Sequence, residues 1–139
     1  MTKSEHTLPD TNVILRYLLN DQPEQFALAE AFFGEVRTGR KKAVVLEGVI
    51  VECLHVLTKF YKVPRPAAAA PLAELMRYKG IVNHDAATLI RALELYAQSG
   101  FDPVDCLLAA TAERGKGTVF TFDQKLQKLA AGERQETVG

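Results

Sequence analysis

The chain has 139 residues, 17 Lys plus Arg against 17 Asp plus Glu, 47% hydrophobic and 24% charged residues. That suits one globular domain over 1–139 with one core, and the formal net charge of zero does not advertise a polyanion partner. The apolar runs are too short to span a bilayer and the opening MTKSEHT is not a secretory signal, so a cytoplasmic protein with no membrane contact is expected.

In chain order the pattern alternates strand and helix. Thr7–Pro9 reads as a short strand that ends at Asp10, since Pro9 cannot donate to a ladder. Thr11 to about Asn20 reads helical. Pro23 opens a second helix to about Thr38, whose Phe26, Ala29, Phe33 and Val36 recur at three and four. Ala43–Leu46 reads as a strand, Gly48 to about Tyr61 as a helix apolar nearly all round, Pro66–Tyr78 as a helix, and Gly80–Val82 as a strand. Asp85–Ser99 is an amphipathic helix that Gly100 should terminate, and Asp102-Pro103 opens another to Arg114. Thr118–Phe122 reads as a strand, Asp123–Ala130 as a helix, and the last residues as a weak edge strand. This alternation predicts an α/β fold with a central parallel sheet covered on both faces, whose ligand site lies beyond the carboxyl ends of the strands.

Four acids stand beside apolar runs: Asp10 in LPDTNVILRYLL, Glu52 in VIVECLHVL, Asp105 in DPVDCLLAA and Asp123 in VFTFDQKL. Asp10 and Asp123 directly follow strands, and Glu52 and Asp105 lie early in helices fed by the same sheet edge. Buried carboxylates need partners, and no cation is close in sequence to all four, so a shared divalent ion would satisfy them. Each has a plainer role as well. Asp10 and Asp123 suit N-caps, Asp102 and Asp105 have the spacing of a capping box, and Glu52 has His55 three residues on. Glu47 reads as an exposed loop acid and Asp85 as a cap.

Cys53 and Cys106 have no zinc or CxxC spacing and read as buried thiols. His6, His55 and His84 form no ligand pattern, so hard oxygen donors favour Mg²⁺ or Mn²⁺ over zinc. Basic clusters occur at Arg37, Arg40, Lys41 and Lys42, at Lys59, Lys62 and Arg65, at Arg77 and Lys79, and at Lys125 and Lys128. Each suits a solvated helix end, and together they would suit a positive surround for a phosphodiester.

DTNVILRYL after a short strand, the Glu of VIVECLHVL, FDPVDCLLAATA and VFTFDQKL, in this order from Leu8 to about Leu129, resemble the PIN-domain nucleases, and among them the VapC-type toxins of toxin–antitoxin pairs. The resemblance implies a three-layer α/β/α sandwich around a central parallel sheet, and an endoribonuclease that uses Mg²⁺ or Mn²⁺. It assigns Asp10, Glu52, Asp105 and Asp123 as catalytic and metal-binding, with Thr11, Asn12, Asp102 and Thr121 in support. Metal-activated water would attack in line and leave 5′-phosphate and 3′-hydroxyl ends. Arg16, six positions beyond Asp10, is a candidate phosphate contact or a surface charge. The resemblance further implies an RNA substrate, a cognate antitoxin and a homodimer. Pro9 in place of an apolar residue, a weak C-terminal strand and a slightly long N-terminus depart from the pattern. Competing readings are a catalytically silent binding module of the same fold, a housekeeping RNA-processing nuclease, a phosphoacceptor domain and a DNA or flap nuclease.

Overall fold

A computed structural model of the chain describes residues 6–132. The C-terminal strand expected beyond them lies outside the described residues. β1 (His6–Thr7) and β2 (Lys42–Ala43) pair in parallel, His6 opposite Lys42 and Thr7 opposite Ala43. A parallel bridge from Ala43 to Ile81 adds a third position. Ala43 is bonded on that side by its N–H to the Gly80 carbonyl (2.8 Å) and by its carbonyl to the Val82 N–H (3.0 Å). Asn83 prolongs the ladder with its side chain: Oδ1 accepts from Val45 N (2.9 Å) and Nδ2 donates to Val45 O (2.8 Å). The fold is therefore α/β, with a small parallel sheet among seven α-helices in the described residues.

α1 (Thr11–Leu19) begins on Asp10, whose Oδ1 accepts from Val13 N at 2.9 Å, and ends at left-handed Asn20. α2 (Pro23–Thr38) has Pro at its first position, where a missing N–H costs nothing, and closes on left-handed Gly39. α3 (Glu47–His55) runs on through a π-helical turn, Val56–Phe60. α4 (Arg65–Met76), α5 (Ala86–Gln98), α6 (Pro103–Glu113) and α7 (Gln124–Ala130) follow. α4 packs on α5, α5 on α6, α1 on α2 and α6 on α7. One contiguous core results, with Ile14, Phe33, Val45, Leu72, Leu75 and Leu93 fully enclosed.

Several expectations differ. β2 covers Lys42–Ala43 rather than Ala43–Leu46, and Gly80–Val82 contributes a single bridge rather than a strand, because pairing extends only as far as a neighbouring backbone is in register. Gly100 does not cap α5: the helix stops at Gln98, and Ser99 is already extended (φ −132°, ψ 176°). Thr118–Phe122 forms no strand. Its approach passes through Gly115 and Gly117, both at positive φ (76° and 149°). Its backbone has no ladder partner among the described residues, and Phe120 and Phe122 stand 89% and 91% exposed. β-prone residues without a neighbouring strand to pair with keep only their local preference. The described sheet is accordingly two strands and a bridge, smaller than the one expected.

Candidate active site

Asp10 leaves β1 at its carboxyl end, exposed, with one oxygen occupied by the α1 cap. Asn12 shares with it a groove bounded by Leu8, Val13, Leu28 and Phe32. Glu52 is exposed on α3 and has no bond to His55 among the described residues. Asp10 and Glu52 converge on Cys53, whose thiol lies 4.0 Å from the Thr11 carbonyl. Burial, then the negative charges of Glu52 and Asp10, push that thiol up to about 12.

A second acidic group forms where α6 begins and α7 begins. Asp102, Asp105 and Asp123 line one cavity of about 380 Å³ with Gly100, Phe101 and Lys125. Asp102 occupies the N-cap position of α6 without a side-chain cap bond, and Asp105 falls in its first turn. Burial, then the charges of Asp102 and Asp123, raise the Asp105 carboxyl above its usual range. Asp123 caps α7 with Oδ1 accepting from Lys125 N (2.9 Å) and Leu126 N (3.2 Å). Thr121 braces this turn: its hydroxyl accepts from Asp123 N (3.1 Å), and its carbonyl accepts from Gln127 Nε2 (2.7 Å). The support runs through the backbone around Asp123 rather than to its carboxylate.

The four acids thus fall into two groups, Asp10 with Glu52 and Asp105 with Asp123. No three His, Cys, Asp or Glu among the described residues are gathered closely enough to hold one metal ion. The donor chemistry suits a hard divalent cation, because carboxylate oxygens are its preferred ligands and the raised Asp105 marks negative charge that a cation would neutralise.

Arg16 is nearly enclosed. Its Nη1 donates to Asp21 Oδ1 (2.7 Å) and its Nη2 to the Tyr61 hydroxyl (3.2 Å), tying α1 to the end of the π turn, while Nε has no partner among the described residues. A phosphate would have to displace those bonds to reach either terminal nitrogen.

Sequence reasoning missed Arg65, which appeared only as one of a basic cluster. Its guanidinium stacks 3.5 Å above the buried Tyr96 ring and donates to the Tyr96 and Phe101 carbonyls. It thereby fixes the α5–α6 turn that carries Asp102. No local signal marks such a clamp, because its partners are 31 and 36 residues away.

Comparison with known proteins now adds to this geometry. The chain is 29% identical over 124 residues to the VapC ribonuclease of Aquifex aeolicus (strain VF5), an alignment covering 88% of this chain and 90% of the relative. No solved structure matches significantly. The PIN domain family model matches residues 7–132, and the chain belongs to that family.

Proposed function

We propose that the protein is a divalent-metal-dependent endoribonuclease, the toxin of a type II toxin–antitoxin module. The observation that carries this is the cavity shared by Asp102, Asp105 and Asp123, where burial and then its neighbours' charge raise the Asp105 carboxyl above its usual range. The family match and the likeness to a VapC ribonuclease support it.

Asp10, Glu52, Asp105 and Asp123 would hold Mg²⁺ or Mn²⁺. When bound, the ion supplies a more acidic water and neutralises charge on the scissile phosphate. The protein's own part is positional. The α1 and α7 caps hold Asp10 and Asp123 by one oxygen each, which leaves the other oxygen available. Thr11, Asn12, Asp102 and Thr121 shape the two turns.

The finer architecture proposed is the three-layer α/β/α sandwich around the parallel sheet.

A homodimer, a cognate antitoxin and an RNA substrate complete the proposal. No helix in the described residues is long and apolar enough to cross a membrane, and the reading places the protein in the cytoplasm. Light scattering at micromolar concentration tests the dimer, and a monomer counts against it.

The central test incubates mixed RNA with the protein in Mn²⁺, in Mg²⁺ and in excess chelator. Cleavage with 5′-phosphate ends, lost on chelation and in Asp10→Asn and Asp105→Asn, is expected. Metal-independent cleavage, or full activity in either variant, refutes the assignment. Asp10→Asn keeps an amide oxygen to cap α1, so stability and activity separate cleanly.

A further inference from the structure

The amino end of the sheet collects cations from two distant parts of the chain. The end of α2 and the turn after it bring Arg37, Arg40 and Lys41 to β2, which opens with Lys42, and the turn after α4 brings Arg77 and Lys79 to the bridge at Ile81. All six are exposed. Because the strands are parallel, this end lies opposite the one where Asp10 emerges.

The backbone forces the two basic loops onto one surface. Lys79 N donates to Arg37 O (3.4 Å) and Gly80 N to Val36 O (2.7 Å). A Cβ at Gly80 would stand 2.1 Å from the Lys41 carbonyl oxygen and 2.6 Å from that of Val36, so only glycine permits this approach. Gly39, at φ +86°, lies against the Lys79 stem, 3.1 Å from where a Cβ would be.

Part of the array is held in place by aromatic groups. The Arg37 guanidinium donates to the Tyr17 hydroxyl (3.2 Å) and sits 5.4 Å from the Tyr78 ring centre, while the two tyrosine hydroxyls share a 2.7 Å hydrogen bond. The Lys41 ammonium lies 5.8 Å from the Phe32 ring centre. Local acids do not cancel the patch. Glu35 is 3.8 Å from Lys41, Glu94 is divided between Arg77 and Arg91, and Arg40, Lys42 and Lys79 have no acidic partner among the described residues. Net neutrality of the chain therefore conceals a local excess of cations at the sheet end opposite the one where Asp10 emerges.

We propose that this end is a second RNA-binding surface, which takes the phosphate backbone of a strand at a distance from the acidic cavity. The inference rests on the nuclease reading for its choice of RNA. It also rests on the patch itself. The large exposed apolar residues, such as Leu8, Leu28, Phe60 and Phe122, lie elsewhere in the chain. A protein interface needs an apolar centre, whereas a polyanion needs only spaced cations and the release of its counterions. The surface would lengthen the footprint of the substrate without touching the scissile bond.

The test uses the full chain with chelator present, so that binding is read without cleavage. A labelled single-stranded RNA of mixed sequence is titrated by fluorescence anisotropy between roughly 50 and 200 mM salt. Arg40→Gln, Lys42→Gln and Lys79→Gln are combined, and a control combines Arg114→Gln and Lys116→Gln, exposed cations outside every basic cluster. Thermal melting confirms that both variants fold. The first variant is expected to lose about two from the slope of log affinity against log salt and roughly tenfold in affinity, since each backbone contact to a single strand contributes about 0.7. The control is expected to retain the wild-type slope. An unchanged slope in the first variant, or an equal fall in the control, overturns the proposal. Tighter binding of poly-glutamate than of RNA, lost in the first variant, would reassign the patch to an acidic protein and overturn it as well. Cleavage in Mn²⁺ is scored separately. Wild-type protein that binds RNA with the full slope but never cuts it removes the nuclease reading and leaves the surface standing.

Discussion

Replacing Arg65 with Met keeps the length and apolar stem of the side chain but deletes its donors and charge. The Tyr96 and Phe101 carbonyls each lose a charged donor, and the Tyr96 ring loses a guanidinium 3.5 Å from its centre. A hydrogen bond from a charged group contributes about 1.5–3 kcal/mol and a cation over a ring about 0.5–2 kcal/mol. Arg65 is only half-buried, so water recovers part of this, and the low end of each range applies. A loss of about 3 kcal/mol is expected. With an unfolding entropy of about 2.1 cal/mol/K per residue, a chain of this size should melt roughly 10 °C lower. Arg65→Lys retains charge but cannot stack and reach two carbonyls together, so it should fall between the two. The α5–α6 turn leads into Asp102 and the wall of the acidic cavity, so cleavage should also weaken at temperatures where the variant stays folded. Thermal denaturation by circular dichroism measures the effect. A Met variant that melts within about 2 °C of wild type would refute the clamp, because intramolecular bonds of that kind cannot be removed at no cost.

Asp105 holds its proton to higher pH in the folded chain than an ordinary aspartate does, through burial and then the charges of Asp102 and Asp123. Folded protein therefore binds more protons than unfolded protein between the usual carboxylate value and the raised one, and this group's contribution to stability falls as pH rises through that window. Asp105→Asn should gain on wild type in urea midpoint as pH rises through the window and then level off. A flat difference, or one of opposite sign, refutes the raised proton affinity of Asp105 in the folded chain. The thiols give an independent check. Burial raises both Cys53 and Cys106; Glu52 and Asp10 raise Cys53 further, while the Ser99 hydroxyl and the Arg65 charge offset part of the rise at Cys106. Neither should react with a thiol-specific reagent at neutral pH until the protein is unfolded, and fast native-state labelling of either would contradict their enclosure.

How much of this was legible beforehand varied with the range of the interaction. Prolines and carboxylates at helix starts act within one turn, and the starts of α1, α2, α6 and α7 were readable from Asp10, Pro23, Asp102-Pro103 and Asp123. Motif order was likewise enough to expect the PIN family, to which the chain belongs. Strand formation was less legible, because a strand needs a neighbour. Gly80–Val82 contributes one bridge, and Thr118–Phe122 has β-prone residues but no partner in the described ladder. Gly100 failed as a helix stop because the chain was already extended at Ser99.

The sequence alone determined the residue types available for chemistry: an oxygen-rich acidic set, no zinc pattern, and as many cations as acids. Only the tertiary structure decided how they group. It divided the acids between the Cys53 side and the α6–α7 cavity, tied Arg16 to Asp21 and Tyr61, made Arg65 a clamp, and pressed two basic loops together around Gly80. Local backbone preferences act over a few residues and are written in the chain. The meeting of charges tens of residues apart depends on which faces pack, and packing is a property of the whole core.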